Sequence, residues 1–238
     1  MKAIVKSKCP LLFAQHHKAH LDFAYAHKDW TLEDRKQVVG SDETKINCLE
    51  SDGHKLVWKK PGKRLNDRLA KRTLKFGGGS LMMWGCIAWE EIGYATKIDG
   101  RMDGDLYLQI LKDELQNSLE FYDLNPSDII FQQDNDPKHT CKKVKEWLEE
   151  QEFRTMVWPV QSLDLNPIEY VWLHLKRKLA DYEEPPKGIE GLWRRTQEEW
   201  NKISAEVCQG LRACLGGLRQ CLKPKENIPS TNIYQIPS

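Results

Sequence analysis

The chain has 238 residues, 40% of them apolar and 30% charged, enough for one full-sized domain with a sizeable core and peripheral helices. No apolar run approaches the ~20 residues needed to span a bilayer and no signal-peptide pattern opens the chain, so a membrane role is set aside. The net charge of +1 hides an uneven distribution: Lys55 to Lys75 holds nine Lys or Arg and one acid, Asp67, a local +8 against −7 for the remainder. With Pro61 and Gly62 inside it, this block reads either as a solvated surface loop or as an arm contacting phosphate or a partner. The seven cysteines form no CxxC pair. Cys208, Cys214 and Cys221 are spaced like one helix face, so they read as reduced thiols of an intracellular protein, with zinc disfavoured.

In chain order, residues 11–28 carry good helix formers without internal Gly or Pro and predict a helix. Val38 to Leu49 is a strand candidate, and Lys55 to Lys59 a shorter one. The basic block ends at Gly77-Gly78-Gly79, after which Ser80 to Trp89 is a strong strand. Asp105 to Leu119 has helical periodicity. Asp128 to Gln133 carries the continuous apolar run of a parallel strand covered on both sides. A helix over Lys142–Glu150, a strand over Phe153–Trp158 and a helix opened by Asn166-Pro167 and running to Leu179 follow. Helical segments occupy 188–222, and the tail from Pro224 reads as unstructured. Three strands at hairpin-like spacing, then alternating helices and strands, predict an α/β fold whose sheet begins antiparallel and finishes parallel.

Three acids stand out from this pattern. Strict alternation puts Asp42 on the strand face that carries Val38, Gly40, Thr44, Ile46 and Cys48. An ionised Asp there is costly unless paired, hydrogen-bonded or bound to a metal; the plain alternative is a half-exposed Asp near a strand end. Asp134 follows Ile129-Ile130-Phe131 and so lies at the carboxyl end of a parallel strand, where α/β proteins build their sites. It also reads as a turn residue, although Asp136 suits a turn better. Glu169 is the third residue after Asn166, where a capping-box acid belongs, yet it lies off the apolar stripe Ile168, Val171, Trp172, Leu175 and Leu179 and could face a cleft.

The segments SDETK (Ser41–Lys45), GGGSLMMWGC (Gly77–Cys86), QQDNDPKHT (Gln132–Thr140) and WPVQSLDLNPIEYVW (Trp158–Trp172) resemble the transposases of the Tc1/mariner superfamily, Tc1-like branch. The 34 residues between Asp134 and Glu169 match that family's DD34E spacing. The resemblance runs from about Pro10 to about Leu179 and implies an RNase H-like fold: a mixed five-stranded sheet flanked by helices, with a basic loop inserted between the second and third strands. It divides the chain into a linker and leading helix (1–36), a catalytic core (37–182), C-terminal helices (183–222) and a tail (223–238).

By the same resemblance Asp42, Asp134 and Glu169 are the catalytic metal ligands, holding Mg²⁺, or Mn²⁺ in its place, as two ions. Two such ions about 3.5–4 Å apart stabilise both the attacking and the leaving oxygen of an in-line phosphodiester displacement. The implied function is hydrolysis and strand transfer in cut-and-paste DNA transposition and integration, with double-stranded DNA as partner, a homodimer when DNA-bound, and the nucleus as location. Asn135 and His139 are accessory candidates that orient water, phosphate or metal ligands, although a histidine there is more often a packing residue. Lys59, Lys60, Lys63, Arg64, Arg68, Lys71 and Arg72 are the expected contacts to DNA or a partner subunit. Relatives usually carry two helix-turn-helix modules ahead of this region, which this chain does not match. Gly40 and Arg35 stand where relatives usually have an aromatic and a Trp, and Leu163 where they have Pro. A Gly at position 40 predicts a hole beside Asp42. An inactive remnant that binds DNA or an intact transposase is therefore the alternative function.

Overall fold

The structure is a computed structural model that describes residues 13–48, 79–89, 91–162, 165–205 and 208. Five strands form one sheet: β1 (Val38–Asn47), β2 (Ser80–Ile87), β3 (Ile92–Ile98), β4 (Ile130–Gln132) and β5 (Arg154–Thr155), in the order β3-β2-β1-β4-β5. The β3-β2-β1 part is antiparallel, and β1-β4-β5 is parallel. The expected change from antiparallel to parallel pairing therefore occurs at β1, which carries Asp42.

The helices are α1 (Ala14–Ala26), α2 (Leu32–Lys36), α3 (Gly104–Ile110), α4 (Gln116–Phe121), α5 (Lys142–Glu149), α6 (Ile168–Ala180) and α7 (Gly188–Trp200). α3 and α4 are joined without a break by a π turn at Leu111–Leu115, which keeps both of those leucines fully buried. α3 starts at Asp103, whose side chain accepts hydrogen bonds from the backbone N–H groups of Asp105 and Leu106.

Alternation along β2 explains the layering. Trp84 and Cys86 face a core made with Tyr107, Leu111, Leu115, Val144 and Trp147 of the α3–α4 and α5 side. Leu81, Met83 and Ile87 face the opposite core, made with Ile168, Val171, Trp172, Leu175 and Trp200 of α6 and α7. Helices thus cover both faces of the sheet. Gly85, opposite Asp42 in the β1–β2 register, has no room for a side chain: a Cβ there would lie 2.9 Å from the rings of Trp172 and Trp200. Those two indoles stack at 5.2 Å between centroids and fix α6 and α7 over the strand that neighbours Asp42.

A smaller cluster of Ala24, Trp158 and Leu165, with Phe23 and Met156, docks α1 on the turn leading to α6. There Ser162 Oγ lies 2.8 Å from His20 Nε2, and Gln161 adopts φ +57°, a left-handed conformation unusual for a residue with a side chain.

Two elements were not anticipated. β3 is an edge strand with mixed exposure and a glycine inside it, so IGYATKI lacks the dense apolar signal of β2. α2 is five residues long and owes its form to the capping box of Thr31 and Asp34. The strand read over Phe153–Trp158 is shorter, limited to Arg154–Thr155. The strand read at Lys55–Lys59, all the basic candidates from Lys59 to Arg72, and the tail lie outside the described residues. Among the described strands, that basic stretch falls between β1 and β2.

Candidate active site

The pairing of β1 with β4 places the first two acids together. Val38 pairs with Ile130 and Gly40 with Gln132, so Asp42 and Asp134 both stand two residues further on, at the carboxyl side of adjacent parallel strands. Glu169 comes from the first turn of α6, the helix that packs on the Asp42 face of β1. The structure therefore brings the three predicted acids to one end of the sheet.

The capping reading of Glu169 does not hold. Pro167 is the N-cap, without a side-chain cap, and Asn166 Oδ1 accepts from Ile168 N–H at 3.4 Å. The Glu169 carboxylate makes no hydrogen bond among the described residues and is half-buried. Burial raises its pKa, offset in part by Lys176. It stands beside Asp42, whose carboxyl its charge raises, and not on the cap.

Asp42 is the most perturbed acid of the group. Burial first, then the charge of Glu169, and then Glu43 and Asp134, push its carboxyl up to about 8; only a backbone hydrogen bond from Glu43 N–H, 2.8 Å from Oδ1, works the other way. No basic side chain is among these influences. Asp134 differs: burial would raise it, but hydrogen bonds from His139 and from Asp136 N–H hold it below the usual carboxylate range. Both bonds go to Oδ1, at 2.5 Å and 2.9 Å, so its Oδ2 remains without a hydrogen bond among the described residues. Asp134 thus orders its own turn as well as standing in the site. Asp136 takes the ordinary turn role, accepting from Lys138 N–H at 3.0 Å.

His139 is a structural hub and not a mere packing residue. It is 2% exposed, its Nδ1 faces Asp134 and its Nε2 lies 3.1 Å from Glu43 Oε1. Burial opposes its charge, but the two carboxylates win and raise its pKa to about 9. Its ring packs on Tyr107 at 4.0 Å between centroids. Tyr107 donates to Gln133 Oε1 at 2.7 Å, and Gln133 Nε2 donates back to the His139 carbonyl at 3.2 Å. Asn135 turns its amide to the Trp158 carbonyl at 2.6 Å and so ties the β4 end to the chain beyond β5.

Glu43 alternates to the β1 face opposite Asp42, so strand alternation alone does not point to it. That face proves to be covered too, with Val39 and Ser41 buried on it, and the Glu43 side chain is only 8% exposed. Its partners, Lys138 at 3.5 Å and His139, lie 95 and 96 residues along the chain, so no local pattern announced them.

The predicted hole at Gly40 is absent. Gln132 fills the space: a Cβ on Gly40 would sit 2.8 Å from Gln132 Oε1. Both polar atoms of that buried amide lack a partner among the described residues, a costly arrangement next to the site. Leu163 lies outside the described residues.

The donor set suits a hard divalent cation, since Asp42, Asp134 and Glu169 offer only oxygen. Among the described residues no three His, Cys, Asp or Glu side chains stand close enough to hold one ion as they are. As they stand, Asp42 accepts from its neighbouring backbone and Asp134 from His139 and Asp136.

Residues 37–188 match the DDE superfamily endonuclease family. The chain is 37% identical over 203 residues to the Tcb2 transposase of Caenorhabditis briggsae, covering 84% of this chain and 72% of that protein. It is 32% identical over 209 residues to the Tc1 transposase of Caenorhabditis elegans, covering 86% and 73%. The chain belongs to the Tc1-like DDE transposases. Its fold is that of the Mos1 mariner transposase catalytic domain, with a TM-score of 0.67 at 16% identity over 91% of this chain and 96% of that one. The Mos1 paired-end complex with the left transposon end aligns with a TM-score of 0.76 at 19% identity, over 93% of this chain but 66% of that one. As a transposase catalytic domain, the chain carries the RNase H-like architecture that the resemblance implied.

Proposed function

We propose that this transposase domain cleaves and joins DNA phosphodiesters with divalent metal held by Asp42, Asp134 and Glu169. The observation that carries the reading is Asp42: a carboxylate in a covered strand, surrounded by three acids and offset by no cation among the described residues. Such a group is stable as an ion only when a positive charge is supplied from outside. Among the described residues, Asp134 keeps one oxygen free of hydrogen bonds and Glu169 keeps its whole carboxylate so, which leaves oxygens for a metal. Mos1 structures described as complexes with Mg and with Mn support the choice of ion. Bound there, the metal supplies charge neutralisation at phosphate and activation of water or a 3′-hydroxyl. The protein's own part is to hold Asp134 through His139, to hold Asp42 through the Glu43 backbone, and to keep α6 rigid behind Glu169. Transposon-end and target DNA as substrates, a homodimer on DNA and the nucleus as place of action belong to the same proposal and rest on kinship with the transposases.

The test is nicking of a double-stranded oligonucleotide carrying the element's own inverted repeat, with Mg²⁺ or Mn²⁺ and with chelator. Metal-dependent cuts at the repeat end that vanish in Asp134→Asn and Glu169→Gln are expected. DNA binding without cuts under any metal would establish the inactive-remnant reading instead.

A further inference from the structure

We propose that Glu43 is a positioning residue that fixes the two strand-borne metal ligands, Asp42 and Asp134, relative to one another. The inference rests on the metal role given to those acids above. Glu43 is joined to both of them by different atoms. Its backbone N–H donates to Asp42 Oδ1 at 2.8 Å. Its side-chain Oε1 meets His139 Nε2 at 3.1 Å, and His139 Nδ1 meets Asp134 Oδ1 at 2.5 Å.

In the chain Glu43–His139–Asp134 a carboxylate oxygen faces each ring nitrogen, Glu43 Oε1 at Nε2 and Asp134 Oδ1 at Nδ1, so the ring spans the two acids. A ring held at both ends cannot flip or swing without breaking one of these contacts. Its flat side is closed by Tyr107, which is locked in turn by Gln133. Asp134 is thereby kept with Oδ1 engaged and, among the described residues, Oδ2 without a hydrogen bond. Lys138 completes the arrangement by bridging Glu43 at 3.5 Å and Asp136 at 2.8 Å, on the same turn as Asp134.

Burying Glu43 is poor economy for stability alone. An ion network taken out of water gains little over apolar packing of the same volume. It does, however, give direction to the groups it holds. Hydrogen-bonded partners behind a ligating carboxylate tune its metal affinity, and loss of such a partner weakens binding by about 10–100-fold.

The experiment is calorimetric titration of the 238-residue chain with Mn²⁺, alongside Glu43→Gln, His139→Asn and the double variant. Asn in place of His139 keeps a donor near the Nδ1 position but cannot reach Glu43, so it cuts the chain at the point in question. Glu43→Gln is expected to bind Mn²⁺ about 10–100-fold more weakly, His139→Asn similarly, and the double variant no worse than the weaker single one. Urea unfolding of each variant, followed without metal, separates this from general loosening. Unchanged Mn²⁺ affinity in Glu43→Gln, or single effects that multiply in the double variant, would overturn the assignment. If Glu43→Gln does not fold, His139→Asn alone decides, and affinity equal to the parent's overturns it. Failure of the unaltered chain to bind Mn²⁺ would instead overturn the metal reading on which the assignment stands.

Discussion

Replacing Asp42 with Asn is expected to abolish metal-dependent DNA cleavage while making the metal-free protein more stable at neutral pH. The loss of activity should be about a thousandfold or more, the equivalent of the several kcal/mol of charge stabilisation a metal ion supplies. The gain in stability follows from proton linkage. Folded, Asp42 keeps its proton up to about 8, against an ordinary value of 3.8. Between those values the folded state holds a proton that the unfolded state releases, so stability falls as pH rises through that window. Asn removes the penalty, which is on the order of a few kcal/mol given that each tenfold change in proton affinity corresponds to about 1.4 kcal/mol.

Asp134→Asn should do the reverse, because its carboxylate is held below the usual range by His139 and Asp136 and stabilises the fold wherever it is ionised. That contribution is present above the ordinary Asp range and fades as pH falls through the lowered value. His139 adds a further loss of stability as pH rises from 6.5 to about 9, where it gives up the proton shared with its carboxylates. Thermal unfolding of the metal-free parent and both variants between pH 5 and 9 checks all three signs. An Asp42→Asn protein less stable than the parent at pH 7 would show that Asp42 is not the strained acid of the site.

Truncating Trp172 to Ala should cost about 3–5 kcal/mol, the usual range for emptying a large buried aromatic site. Trp172 is 2% exposed, stacks on Trp200 and presses on Gly85, so its neighbours are a rigid ring and a strand backbone that collapse poorly into the gap. The cost reaches the active site as well, since Trp172 lies on the same helix as Glu169 and holds that helix on the sheet. Urea denaturation provides the measurement. Val157→Ala is the control: that side chain is 88% exposed, and its loss should shift stability by no more than about 0.5 kcal/mol.

The core of this fold was legible because it is written in long, simple patterns. The run Ile129-Ile130-Phe131 became β4, Ser80 to Trp89 contained β2, and the stripe of α6 faced the core as spaced. Resemblance to the Tc1-like transposases then ordered three acids that were each ambiguous alone. What stayed hidden depends on distant partners or on short structure. β3 is an edge strand of mixed exposure, and α2 is held by one capping box. Glu43 alternates to the face opposite Asp42, and alternation says which face a side chain takes, not whether another element covers it. His139 looked like packing for a similar reason, since its meaning depends on Glu43, 96 residues away. Gly40 shows the opposite error: a missing side chain suggested a void, and a neighbouring strand's Gln132 supplied the atoms.

The most direct test of the metal reading is anomalous diffraction from crystals of this chain soaked in millimolar Mn²⁺. The account predicts a Mn²⁺ peak within bonding distance of carboxylate oxygens from Asp42 and Asp134, lost in Asp42→Asn crystals. Mn²⁺ bound only at other side chains, or a peak that persists unchanged without the Asp42 carboxylate, would contradict it.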